Sequence, residues 1–141
     1  MNSQQLNSIQ YRILDKSTEL KSVLGGGIYK GNFRPTDSLK DDICVNVLAL
    51  TERSPYIAIA NINVYVADQK QTIYGKENNV PNYNRLSQLS DLVEKALNEG
   101  LTDPEFENIG FSILENRDFQ NEGNTRPEHY QNIRVQYIII S

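Results

Sequence analysis

The sequence has one cysteine, one histidine and no tryptophan in 141 residues. The single thiol, Cys44, excludes an intramolecular disulfide and any cysteine-rich zinc site. The single imidazole, His129, excludes multi-histidine metal centres and leaves histidine catalysis one candidate base. No apolar stretch approaches the roughly 20 residues of a membrane-spanning helix; runs such as Tyr137-Ile138-Ile139-Ile140 are far too short. The opening Met1-Asn2-Ser3-Gln4-Gln5-Leu6 lacks the basic start and apolar continuation of a secretory signal, so a chain made and used in a cytoplasm is expected. Runs of one charge are also missing, and the tightest cluster, Lys40-Asp41-Asp42, is mixed. With 14 basic and 18 acidic residues the net charge is −4 and the pI about 5.0. That balance gives no long-range attraction to nucleic acid or to an anionic membrane, so no membrane partner and no sequence-specific nucleic acid is expected.

What remains is an ordinary folding chain. Hydrophobic residues are 38%, charged residues 23% and the mean hydropathy is −0.54. These values predict a thin core with long polar loops, yet they are too apolar for wholesale disorder. The length suits one domain over residues 1–141, large enough to bury about two-thirds of its unfolded surface without a metal or disulfide.

Periodicity assigns the elements. Leu6, Ile9, Ile13, Leu20 and Leu24 form one helical stripe over residues 5–24, with Ser17 in the gap, and Gly25-Gly26-Gly27 ends it. Ile28-Tyr29-Lys30 reads as a short extended piece, and residues 31–41 as a loop. Residues 43–50 are apolar on both faces except at Asn46, which predicts an interior strand. From 56 to 67 the even positions Ala58, Ala60, Ile62, Val64 and Val66 are all apolar and should meet the helices. The odd positions begin greasy and turn polar, predicting a second sheet face that is partly covered or partly wet. Residues 68–83 read as a long irregular connection, a type often used for binding. A second helix is predicted over 84–99, with Asn84 as N-cap, an Asp91–Lys95 pair and Gly100 closing it. Strands follow at 109–119 and 130–140. Strands in runs rather than alternating with helices predict an α+β fold. Its mainly antiparallel sheet has about five strands with two helices on one face, in the order α-β-β-β-α-β-β.

Chemistry is sparse. His129 lies between a Gly/Asn/Pro loop and the last strand, with no motif around it to supply a nucleophile or an orienting acid. Cys44 in an interior strand reads as a small hydrophobe. Gly26 and Gly31 have phosphate-loop spacing, but Asn32-Phe33 follow where Lys and Ser/Thr are required, and a helix precedes where a strand belongs. Asp41, Asp42, Glu105, Glu107 and Glu115 show no paired-carboxylate spacing and read as solvated charge. No catalytic, metal-ligating or cofactor-binding set is assigned. The eight tyrosines stand out, with Tyr29, Tyr56, Tyr65, Tyr74 and Tyr83 in the first strands and the long connection. Tyrosine gives contact area with a polar tip, which suits both sheet packing and interfaces. Tyr65, Ile73, Tyr74 and Tyr83 are the candidate interface residues, because apolar side chains in a hydrophilic connection invite a partner.

The junction Val23-Leu24-Gly25-Gly26-Gly27-Ile28-Tyr29, the strand Ile57–Val66, the helix Leu86–Leu97 and the closing Ile133-Arg134-Val135-Gln136-Tyr137 together resemble the tail-completion proteins of long-tailed phages and prophages. That family is also described as tail terminators, minor tail proteins or head–tail joining proteins. The resemblance covers nearly the whole chain in order and spacing, and departs from the family at Arg34-Pro35-Thr36 and over 68–83. It implies a structural role without catalysis or cofactor. Copies would close into a ring, commonly a hexamer, that caps the tail tube and meets the head connector, in the virion or in the bacterial cytoplasm during assembly. Two alternatives stay open: a protein-binding adaptor of a mobile element or contractile delivery system, and a small hydrolase using His129.

Overall fold

The computed structural model describes residues 1–140. The predicted first helix is two helices, α1 (Ser3–Asp15) and α2 (Thr18–Leu24). The break lies at Ser17, whose side chain accepts the Leu20 N–H and caps α2. Asn2 and Gln5 form a reciprocal capping box on α1. Gly25, at φ 80°, ends α2 in a left-handed turn.

Strand β1 (Ile28–Lys30) runs parallel to β2 (Asp42–Leu50), the one parallel pairing among the described strands. β2 pairs antiparallel with β3 (Tyr56–Ala67), β3 with β7 (Glu128–Ile139), and β7 with β6 (Ile109–Asn121). The sheet order is therefore β1-β2-β3-β7-β6. Bulges at Leu48 in β2 and Leu114 in β6 each add one residue and leave an exposed leucine. The mainly antiparallel α+β architecture expected from the sequence is the one observed, with β2 inside the sheet.

The alternation in β3 is realised: Ala58, Ala60, Ile62, Val64 and Val66 are buried. Opposite them in register are Tyr137, Val135, Ile133, Gln131 and His129 of β7. Leu6, Ile13 and Leu14 of α1, Leu20 and Leu24 of α2, and Leu86, Leu89, Val93 and Leu97 of α3 (Tyr83–Gly100) complete one contiguous core. Tyr137 lies fully buried and its hydroxyl donates to Gln10 Oε1 at 2.8 Å, tying β7 to α1. α3 is capped two residues earlier than expected: Asn82, not Asn84, accepts the Arg85 N–H. Lys95 turns from Asp91 to Glu19 of α2, at 2.6 Å. No helix among the described residues is long and apolar enough to cross a membrane.

The largest departure is at 68–83. This segment is a β-hairpin, β4 (Gln69–Ile73) with β5 (Lys76–Val80), forming a separate two-stranded sheet. Its strands carry Gln, Lys, Asn and Glu on both sides, so no apolar alternation announces them. A two-stranded arm that leaves the body has no core face to bury, and backbone pairing with a tight turn is enough to define it.

Candidate protein interface

The arm leaves the end of β3 after Asp68 and returns into α3 through Pro81 and Asn82. Five residues per strand give it a reach of about 17 Å. Its turn is Tyr74-Gly75, with φ of 51° and 74°. Positive φ at both central positions is the type I′ geometry that favours Asn, Asp or Gly, and a tyrosine in the first place costs on the order of 1 kcal/mol. The Tyr74 ring is fully exposed, at 102%. A bulky apolar side chain thus occupies the outermost point of the arm against local backbone preference, with Ile73, 41% exposed, beside it. Tyr83, 63% exposed, sits at the root, bordering a depression with Gln69, Gln71, Val80 and Pro81. The structure therefore brings three candidate interface residues onto one arm, two at the tip and one at the base.

Tyr65 belongs elsewhere. It is half-buried on the sheet face that the helices leave uncovered, with the Arg34 guanidinium 4.2 Å from its ring centre and Tyr130 at 5.3 Å. Phe119 stacks on Tyr130 at 5.5 Å, extending the row across β3, β7 and β6. Burial pushes the Tyr65 phenol up to about 12. The same face is polar in its middle, as the odd positions of β3 foretold: Asn132 donates to Asn61 Oδ1 at 3.0 Å and Asn63 Oδ1 at 2.7 Å. The Oδ1 atoms of Asn132 and Asn46 are buried without a hydrogen bond. Ile57 and Ile138, paired in register, make its far end apolar.

A charged knot anchors the loops beside the arm. Glu128 at the start of β7 is fully buried and receives Arg34 Nη1 at 2.6 Å and Arg126 Nε at 2.7 Å. Asp42, 1% exposed, accepts Arg34 Nε at 3.2 Å, Ser38 Oγ at 2.6 Å and the Gly27 N–H at 2.9 Å. Asp41 joins Arg85 at 3.0 Å and Arg126 at 3.3 Å. Burial opposes ionisation of Glu128, but hydrogen bonds from Arg34, Arg126, Asn124 and Asn121 outweigh it and hold the carboxyl below its usual value. Arg34 is likewise raised despite burial, by Glu128 and Asp42. The expectation that Asp41 and Asp42 are solvated is corrected here: they help fasten loop 31–41 to the sheet. Gly26 is part of the device, since a Cβ there would stand 2.1 Å from the Asp41 carbonyl oxygen. Arg34 and Glu128 are 94 residues apart, and no local pattern links them.

His129 Nδ1 lies 2.7 Å from Asp68 Oδ1, both half-buried at the root of the arm. An oriented imidazole is a requirement of general-base catalysis. The depression of about 550 Å³ beside it offers Thr125 as its one hydroxyl side chain, so the pair reads first as a clasp between the arm's root and β7. Cys44 is buried as expected, and burial pushes its thiol up to about 11.

At the opposite end of the sheet, the start of α1 overhangs the start of β3 and leaves a groove of about 650 Å³. Ile9, Tyr56 and Ile139 line it together with Gln4, Ser8, Arg12 and Asn108, and the Met1 amine donates to the Tyr56 hydroxyl there at 3.0 Å. No protein-family model matches the chain, and no curated protein matches it significantly.

Proposed function

We propose that the protein is a structural assembly component that joins copies of itself and neighbouring proteins, in the manner of a phage or prophage tail-completion protein. The observation that carries this is the arm: a solvated hairpin projecting about 17 Å from a packed body, with Ile73 and an exposed Tyr74 at its tip. Ring-forming subunits need a rigid body and an outlying anchor, and aromatic tips are the residue type that dominates such contacts. The resemblance of the helix–glycine–Ile-Tyr junction and the closing strand to that family supplies the particular setting: a ring capping a tail tube below the head connector. Electron microscopy of tails assembled without the protein tests it. Overlong or unjoined tubes are expected; normal heads on tails of normal length would refute the role. The adaptor alternative shares the arm, and native mass measurement separates the two, since an adaptor stays a monomer or a dimer.

A further inference from the structure

We propose that the uncovered face of the sheet is a contact between two copies of the chain, packed face to face across a two-fold axis that runs along the strands. The pairing uses a surface away from the arm and goes beyond the assembly role proposed above. Three observations carry it.

The first is apolar surface gathered in one place. Ile57 of β3 and Ile138 of β7 are opposite each other in register, and both are exposed. The two bulges lie at the same level of the sheet: Val47 is opposite Ala60, Ala60 opposite Val135, and Val135 opposite Ile113, with Leu48 and Leu114 the residues that follow. β1 pairs only with Ile43, Cys44 and Val45, so at that level β2 and β6 are the two margins of the sheet. Each margin therefore carries one exposed leucine, the two about 14 Å apart across three strand spacings. An exposed apolar band across a sheet marks a contact site.

The second is the symmetry of the pattern. From Ile57 to Asn63, the charges on this face all belong to β7 and β6: Arg134, with Glu115 and Arg117 in register beside it. The residues in the same rows on β3 and β2 are neutral, with Asn61 opposite Asn46 and Asn63 opposite Cys44. A two-fold along the strands lays β7 of one copy over β3 of the other, and β6 over β2. Arg134 then meets an asparagine carbonyl at Asn61, and Glu115 meets Asn46. Asn46 Oδ1 is buried without a hydrogen bond, and this arrangement gives the same side chain's N–H groups a carboxylate to donate to. No like charges are stacked, Ile57 meets Ile138, and each Leu48 meets a Leu114. A face divided into a charged half and an amide half, with matching leucines at both margins, is complementary to itself.

The third is area. Four strands by seven residues is about 19 Å by 24 Å, roughly 450 Å² in projection on each copy. Side-chain relief brings the two copies together to about the 1,000 Å² in total that a weak specific pair needs. The pair is therefore a reversible dimer.

The test is a Leu48→Cys/Leu114→Cys double variant treated with a short bismaleimide whose reach matches the about 10 Å between packed sheets. Both positions are exposed, and the native Cys44 is buried, so it takes no part. The double variant is expected to give a covalent dimer of twice 16.1 kDa and nothing larger, because both bridges close within one pair. Either single variant is expected to give at least tenfold less dimer, since like cysteines then lie at opposite margins. A double variant that stays monomeric, runs on into a ladder, or links no better than the single variants overturns the two-fold; a face taken by a different protein gives the first of these results. Sedimentation of a Tyr74→Asn chain at high concentration separates this pairing from the arm. A dimer is expected to remain there, and adding Ile138→Lys, or Leu114→Lys at the bulge if the former lowers the melting temperature, is expected to weaken it at least tenfold. A monomeric Tyr74→Asn chain, or a dimer indifferent to the added lysine, overturns the pairing and leaves the arm's role standing.

Discussion

At the scale of single residues, the buried knot makes the sharpest prediction. Removing one partner of a buried ion pair strands the other, so Glu128→Gln is expected to lose about 3–5 kcal/mol in denaturant unfolding. The pH dependence follows from the same carboxyl. Its folded value is lowered, so the unfolded chain binds the proton more readily and stability falls as acid is added. The contribution is complete above about pH 5 and disappears as pH drops through the folded value. Glu128→Gln should flatten that part of the profile, and an unchanged acid limb would count against the assignment. Cys44 gives a simpler readout: with its thiol buried and pushed up to about 11, it should resist alkylation at neutral pH until the protein unfolds. None of the knot was legible in advance. Asp41 and Asp42 look like any mixed charge cluster, because Arg85 and Arg126 come from distant segments and Arg34, eight residues before Asp42, sits in a loop with no periodic spacing to link them. Cys44 was legible because a β-rich apolar run surrounds it in sequence.

At the scale of elements, periodicity carried the reading wherever an element has a core face. The stripes of α1 and α3 and the alternation of β3 follow directly from side-chain geometry. Two things escaped it. Ser17 sat in the gap of the stripe and marked a new N-cap; Ser17→Ala is expected to cost about 1 kcal/mol, read as a lowered melting temperature. The arm escaped because its strands face solvent on both sides, and its one local mark, Tyr-Gly between polar runs, departs from the usual turn chemistry. Replacing residues 69–80 with a short Gly-rich turn should leave the melting temperature nearly unchanged, since apart from half-buried Val80 every residue removed is exposed. Loss of folding would show that the arm belongs to the core.

At the scale of the whole molecule, the exposed tip of the arm is the part of the proposed assembly role that can be tested without disturbing the core. Tyr74→Asn suits the turn and removes the ring, so it is expected to leave the melting temperature unchanged and to lower the assembled mass read by sedimentation. An unchanged mass distribution in a protein that assembles would point to a different contact face. The uncovered side of the sheet, with Ile57 and Ile138 at one end, is where such a face would lie.

The clasp between Arg34 and Glu128 also bears on how the chain is made. Synthesis delivers the arginine early and the carboxylate only with the final strand. Until then loop 31–41 lacks its buried Glu128 anchor and keeps only contacts such as Arg34–Asp42 and Asp41–Arg85, so a nascent protein broken off before residue 128 should expose that loop to proteases more readily than the full chain does.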